Sequence, residues 1–198
     1  MNKPIVLTIF LSLLFAGCAT SPPQKPRDIC SIFQEKKDWY LATLEAEKAW
    51  DVPIPVQMAI INQESSYVED ARPARRWFLG FVPLSRPSSA YGYSQALDGT
   101  WDRYVASTGN SGAARDNFED AVDFIGWYSH QTHTELGIPK TDAYRQYLAY
   151  HEGQNGYRKG SYRSKTGLIE AARKVSATAS NYQRQLKLCE QQLQEDSE

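Results

Sequence analysis

The residue with the clearest chemical potential is Glu64, which follows the nearly unbroken apolar run Val56-Gln57-Met58-Ala59-Ile60-Ile61-Asn62-Gln63 and precedes Ser65-Ser66-Tyr67. The run predicts a buried helix with Glu64 at its C-terminal end. Desolvation and the negative end of the helix dipole both disfavour an ionised carboxylate there. A carboxyl group that stays protonated near neutral pH can act as a general acid toward a leaving oxygen such as that of a glycosidic bond. A lone glutamate at a helix end is more often solvated than buried, so the reading depends on the residues that accompany it.

Two further blocks supply groups suited to sugars. In Ala90-Tyr91-Gly92-Tyr93-Ser94-Gln95-Ala96, Gly92 either lets a sugar approach the backbone or supplies a positive φ. The Gln95 amide can donate to and accept from hydroxyl and N-acetyl groups. In Ala149-Tyr150-His151-Glu152-Gly153, Tyr150 could place its hydroxyl on the Glu64 carboxyl. Glu152 is a second carboxyl that could activate water, as in an inverting hydrolase. His130 and His133 have a spacing that could ligate a metal, but no third ligand lies near them in sequence. Neither a metal nor an organic cofactor is expected.

Taken in order, these blocks resemble the motifs of the lytic transglycosylases of the goose-type lysozyme superfamily. Glu64-Ser65-Ser66-Tyr67 is similar to the Glu-Ser-x-aromatic signature of the catalytic acid. Ala90 to Ala96 resembles the Gly-Leu-Met-Gln block that lines the sugar groove, and Ala149 to Gly153 the Ala-Tyr-Asn-x-Gly block. The resemblance covers roughly residues 50 to 175. It departs at Tyr93-Ser94, more polar than the usual hydrophobic pair, and at His151, which stands where Asn is usual. It implies a lysozyme-like fold that cleaves peptidoglycan between N-acetylmuramic acid and N-acetylglucosamine, leaving a 1,6-anhydro end. In that reading Glu64 is the acid and then the base. Ser65 and Tyr150 orient it, and Tyr91, Gly92, Tyr93, Gln95 and His151 bind substrate. Two alternatives stay open: a hydrolytic muramidase using Glu152, and a peptidoglycan-binding lipoprotein that has lost turnover.

Composition supports one domain with a real core. The chain has 198 residues, with 22 basic against 23 acidic side chains and a net charge of −1, which gives no support for nucleic-acid binding. Residues 1–17 read as a signal peptide: Lys3 is the positive start and Ile5 to Phe15 an apolar stretch too short to span a bilayer. Leu14-Phe15-Ala16-Gly17-Cys18 resembles a bacterial lipobox, so Cys18 would become a diacylated N-terminal residue. Ala19 after it implies the periplasmic face of the outer membrane rather than inner-membrane retention. Residues 18–27, with Pro22, Pro23 and Pro26, read as the lipidated cysteine and an extended tether, and 28–198 as the domain. With Cys18 used for lipid, Cys30 and Cys189 form an even pair in an oxidising compartment, and a disulfide is expected.

The elements that must position the acid read as all-α. Ile29, Phe33, Tyr40 and Leu44 mark one face of a first helix, and Pro55 suits the first turn of the helix leading to Glu64. Thr100-Trp101 opens a short helix that Gly109 to Gly112 ends. Asp116 followed by Glu119 predicts a helix start, with Phe118, Ala121, Val122 and Ile125 as its stripe. Tyr144, Tyr147 and Leu148 lead into the third block. Leu168, Ala171, Ala172, Val175, Tyr182, Leu186 and Cys189 form a long final stripe.

One apolar run, Trp77-Phe78-Leu79-Gly80-Phe81-Val82-Pro83-Leu84, lies between the first two blocks. Such a run must find a surface, and three are available: the core, a lipid headgroup region, and the groove edge. The expectation is a lid on the groove, with Trp77 or Phe78 stacking on sugar, Gly80 as a hinge, and Arg72, Arg75, Arg76 and Arg86 holding its base in solvent.

Overall fold

The computed structural model describes residues 21–75, 77–79 and 81–196. The signal segment and Cys18 lie outside the described residues, as do Arg76 and the expected hinge Gly80. The chain order is α1 (Ile29–Glu35), α2 (Lys37–Trp50), α3 (Ile54–Ser65), β1 (Trp77–Phe78), β2 (Val82–Pro83), α4 (Asp98–Thr108), α5 (Phe118–Leu136), α6 (Ala143–Lys159), a 3₁₀ turn (Ser161–Ser164) and α7 (Thr166–Glu195). Among the described residues the fold is all-α apart from one antiparallel hairpin of two-residue strands, in which Trp77 pairs with Pro83 and Phe78 with Val82.

Helix α3 is the centre of the molecule. Val56, Met58, Ala59, Ile60 and Ile61 are all buried, and α2, α5, α6 and α7 pack around it. A helix apolar on every side can only be a core element, and each large side chain it buries contributes about 1.5–3 kcal/mol. Pro55 occupies its first turn, where a missing N–H costs nothing.

The first predicted helix is two helices. The chain leaves helical geometry at Lys36 (φ −127°, ψ 75°), and Phe33 and Tyr40 pack across the break with ring centroids 5.2 Å apart. The fifth helix starts one residue after the predicted cap. Asn117 accepts from the Asp120 N–H at 3.1 Å, which frees Asp116 for Tyr91. The final stripe holds along a 30-residue helix. Cys30 and Cys189 are bonded, with Cα atoms 6.1 Å apart, joining α1 to α7 near their ends.

The stretch read as a tether is docked at its C-terminal end. Gln24 N–H donates to Glu35 at 3.0 Å, and the Arg27 carbonyl accepts from Gln185 at 3.1 Å. The Pro26 carbonyl accepts from Tyr182 and from Asn62. From Gln24 onward this stretch is held against α1, α3 and α7, because the Pro26 and Arg27 carbonyls meet side-chain donors there.

Candidate active site

Glu64 stands in the last turn of α3, and the three residues after it explain why the helix ends there. Ser66 and Tyr67 both adopt left-handed backbone (φ 51° and 63°), a conformation that costs non-glycine residues energy and needs compensation. The compensation is the Tyr67 side chain. It is fully buried beside Trp39, with ring centroids 5.7 Å apart, and its hydroxyl donates to the Met58 carbonyl at 3.1 Å. The aromatic after Glu64 is thus a peg that folds back and fixes the helix end, and with it the carboxyl.

That carboxyl opens on a groove of about 590 Å³ whose walls include Gln95, Tyr128, Tyr150 and His151. Burial pushes it up to about 7 from an ordinary 4.5, against a smaller opposing pull from a hydrogen bond of the Tyr147 hydroxyl. Its Oε1 is buried and makes no hydrogen bond among the described residues. A protonated carboxyl at this position can present its O–H to whatever enters the groove.

Structure and sequence reading diverge on which tyrosine serves Glu64. Tyr147 makes the hydrogen bond. Tyr150, three residues further along α6, lines the groove, but its hydroxyl donates to the Ser94 carbonyl at 2.6 Å. Tyr150 therefore ties α6 to the second block rather than orienting the acid directly. Ser65 does not reach the acid either: its hydroxyl turns back to the Ile61 carbonyl at 3.3 Å within α3, a habit of helical serines.

The second block is a tight loop built on backbone contacts. Gly92 has φ +74°, and a Cβ there would lie 2.0 Å from the Arg115 carbonyl oxygen. The close approach that requires glycine comes from the protein's own backbone, not from a sugar. Gln95, also left-handed at φ 51°, gives both amide hydrogens to the loop, to Ala71 O at 2.9 Å and Gly92 O at 2.8 Å. Its carbonyl oxygen is left as the acceptor for the groove. Tyr93 is 1% exposed and packs edge-on against Trp39 and Phe118, so it supports the loop from the core and is not among the residues lining the groove. Tyr91 lies outside the groove lining; its hydroxyl donates to Asp116 at 2.8 Å and Arg72 covers its ring at 4.0 Å.

Arg115 had no signal in the sequence, yet it organises this loop. It donates to Ser89 O at 3.0 Å and Ala96 O at 2.9 Å, and pairs with Asp98 at 2.8 Å. Thr100, Arg103, Tyr128, Gln154 and Asn155 also line the groove without any local pattern that marks them. Tyr128 is the most telling of these. Its hydroxyl reaches Gln154 at 3.2 Å, and burial raises its pKa to about 12, so it is a neutral donor at any physiological pH.

The third block breaks α6. Gly153 has φ 73° and ψ 158°, a region open essentially to glycine alone, and the kink turns Gly153, Gln154 and Asn155 into the groove wall. Glu152 holds the kink. Its side chain is 3% exposed, and Oε1 accepts from Lys165 at 2.7 Å and meets His151 Nδ1 at 3.1 Å. Oε2 accepts from Ser161. Desolvation alone would raise this carboxyl, but the hydrogen bonds from Lys165, Ser161 and His151 outweigh it and hold the group down at about 2. A carboxylate so occupied is a weak base and has little capacity left for a water.

The expected lid does not cover the groove. Trp77, Leu79, Phe81 and Leu84 are 57%, 71%, 70% and 44% exposed, and no described residue from 77 to 84 lines the groove. Only the segment after it (Ser88, Ala90) reaches the groove. His133 Nδ1 is engaged by the Ile138 carbonyl at 2.9 Å and the His130 ring packs on Trp50. Among the described residues no group of three His, Cys, Asp or Glu side chains is placed to hold a metal ion.

No curated protein matches the chain. The model of one family, described as the transglycosylase SLT domain, matches residues 6–189. With an acid at the end of a buried helix, a groove beside it and that match over most of its length, the chain belongs to the transglycosylase SLT domain family.

Proposed function

We propose that this chain is a peptidoglycan lytic transglycosylase with Glu64 as its single acid and base. Glu64 protonates the oxygen that joins C1 of N-acetylmuramic acid to C4 of N-acetylglucosamine, and the C1–O bond breaks. The muramic C6 hydroxyl then attacks C1 and returns its proton to the Glu64 carboxylate, which restores the acid and leaves a 1,6-anhydro end. One observation carries this reading: a buried carboxyl, pushed up to about 7, with Oε1 unpaired at the wall of a sugar-sized groove. Such a group is half protonated near neutral pH and serves both steps.

The surrounding groups fit the substrate. The Gln95 carbonyl and the His151 ring nitrogen not engaged by Glu152 offer polar contacts to hydroxyl and N-acetyl groups, and the Tyr150 and Tyr128 rings offer flat apolar faces. The engagement of Glu152 by three partners favours the intramolecular route over a two-carboxylate hydrolase. Lipidation at Cys18 would hold the enzyme at the periplasmic face of the outer membrane. The test is digestion of purified sacculi followed by intact-mass analysis of the fragments. Anhydro ends, one water lighter than hydrolytic ends and absent with Glu64→Gln, are the expected result. Hydrolytic ends would overturn the transglycosylase route, and binding without fragments would leave a binding lipoprotein.

A further inference from the structure

Among the described residues, the hairpin β1–β2 carries the densest cluster of exposed large apolar side chains. Seven large apolar side chains are exposed on the described surface, and four of them, Trp77, Leu79, Phe81 and Leu84, fall within this short segment. Scattered exposed apolar residues are ordinary, whereas a cluster marks an interaction surface. The charge around it is equally one-sided. From Ala71 to Leu97 the sequence contains arginines at 72, 75, 76 and 86 and neither Asp nor Glu, in a chain whose net charge is −1. The base of the hairpin is closed and anchored: Arg86 donates to the Pro73 carbonyl across its two ends, and Arg72 lies over Tyr91 at 4.0 Å. An apolar tip is thus carried on a cationic mount.

We propose that this hairpin inserts its tip into the headgroup boundary of a bilayer containing anionic phospholipid. Trp77, Leu79, Phe81 and Leu84 would sit at the acyl boundary while Arg72, Arg75 and Arg86 meet headgroup phosphates. Both halves of the feature are used by such a surface: apolar burial at the tip, and charge attraction at the base. A tryptophan beside aliphatic residues suits the interfacial zone. Other occupants use only one half. A glycan strand can stack on Trp77 but offers no acyl phase in which to bury Leu79, Phe81 and Leu84. A protein partner would need a cleft around the hairpin, because a protrusion of two-residue strands is far smaller than the roughly 800 Å² per partner of a stable interface. Since Ser88 and Ala90, just beyond the hairpin, belong to the groove wall, insertion would hold the groove rim against the membrane surface. The inference is independent of the cleavage chemistry.

The test is the full chain reconstituted in phosphatidylcholine vesicles, with and without phosphatidylglycerol, using lipids brominated in the acyl chains as fluorescence quenchers. The signal of Trp77 is isolated as the difference from Trp77→Phe, which keeps the other four tryptophans as a common background: Trp39, Trp101 and Trp127, 2%, 7% and 6% exposed, and the part-buried Trp50. The expected result is loss of the Trp77 emission to the brominated lipid, stronger with phosphatidylglycerol. Arg75→Gln should shift the same quenching to a higher phosphatidylglycerol fraction. Leu79→Asp with Phe81→Asp should abolish quenching and leave the melting temperature unchanged. Trp77 emission untouched by the quencher, or quenching indifferent to phosphatidylglycerol, would overturn the proposal. A large fall in melting temperature in the double variant would return the run to the core. Loss of sacculus binding in that variant, with vesicle quenching intact, would assign the hairpin to the wall polymer.

Discussion

The Tyr147 hydroxyl interacts with the Glu64 carboxyl and favours its ionised form, and of the two only Glu64 lines the groove, Tyr147 being 4% exposed. Among the described residues the carboxyl thus has one side-chain donor, Tyr147, and its buried Oε1 is left without a partner. That asymmetry fixes the acid while leaving its proton available. It also gives each member of the pair a distinct experimental signature.

Glu64→Gln keeps shape and hydrogen bonding but removes the transferable proton, and should lower cleavage by about 10²–10⁴-fold. Its effect on stability has a definite sign. Burial raises the folded carboxyl from 4.5 to about 7, so between those values the folded state binds more protons than the unfolded state. Stability falls as pH rises through that window and levels off above it. The variant should be no more stable than the parent at pH 4 and more stable at pH 8, by up to about 3 kcal/mol. Denaturant melts at both pH values check this, and a constant gap would show that Glu64 is not buried as an acid.

Tyr147→Phe removes the one donor that favours ionised Glu64, so the carboxyl should rise further. The alkaline limb of the activity profile should move to higher pH by roughly one unit, given what a hydrogen bond to a charged group is worth. Tyr150→Phe should leave that limb in place, because its hydroxyl serves Ser94, and should lower activity by loosening the loop. Profiles that shift together would return Tyr150 to the acid.

Much of this site is readable from sequence, and the unread parts share a physical cause. Glu64 was legible because an apolar run on all sides of a helix forces burial of whatever ends it. The Cys30–Cys189 bond followed from compartment and parity. Tyr147 and Tyr150 both sit on α6 and differ by less than one turn, so assigning the contact requires knowing how that helix is rotated against α3, which no local pattern specifies. Arg115 was invisible because it acts on carbonyls far from it in the chain. Tyr93 lies in the core rather than along the groove, and its type alone could not decide this, because tyrosine suits a core and a sugar site equally. The lid failed for a different reason: apolar character shows that a segment needs a surface, not which surface it finds.

Gly92→Ala should be among the most damaging single changes in the protein. The new Cβ would lie 2.0 Å from a backbone oxygen, at a φ that alanine resists. The loop must move, taking Gln95 with it, and both stability and cleavage should fall. Gly153→Ala meets nothing within 4 Å, so it should cost only the backbone strain of about 1–3 kcal/mol. Melting temperatures of the two variants compare clash with strain directly, and a smaller loss for Gly92→Ala would refute the close-approach reading.

Reduction of the Cys30–Cys189 bond should destabilise the fold without touching the groove. The bond closes a loop of sequence separation 159, worth about 4–5 kcal/mol in the chain-entropy model. Cys30→Ser with Cys189→Ser should melt well below the parent yet show the same activity profile at low temperature. A changed pH profile would mean that the bond reaches the acid through α7 and α3.

Glu152→Gln separates the two carboxyls of the groove by the sign of their pH dependence. Lys165, Ser161 and His151 hold Glu152 down at about 2, so the unfolded state takes up protons first as pH falls. The stabilisation is present above about 4.5 and is lost as pH drops toward 2, opposite to Glu64, whose burial penalises the folded state only at higher pH. Glu152→Gln should therefore lower stability at neutral pH, with the difference from the parent closing in acid. Cleavage should fall modestly, through loosening of the Gly153 kink, and the alkaline limb set by Glu64 should not move. A loss as deep as that of Glu64→Gln, with hydrolytic ends in any residual product, would make Glu152 the base of a two-carboxylate hydrolase. In the single-acid enzyme, Glu152 shapes the wall and Glu64 alone exchanges the proton.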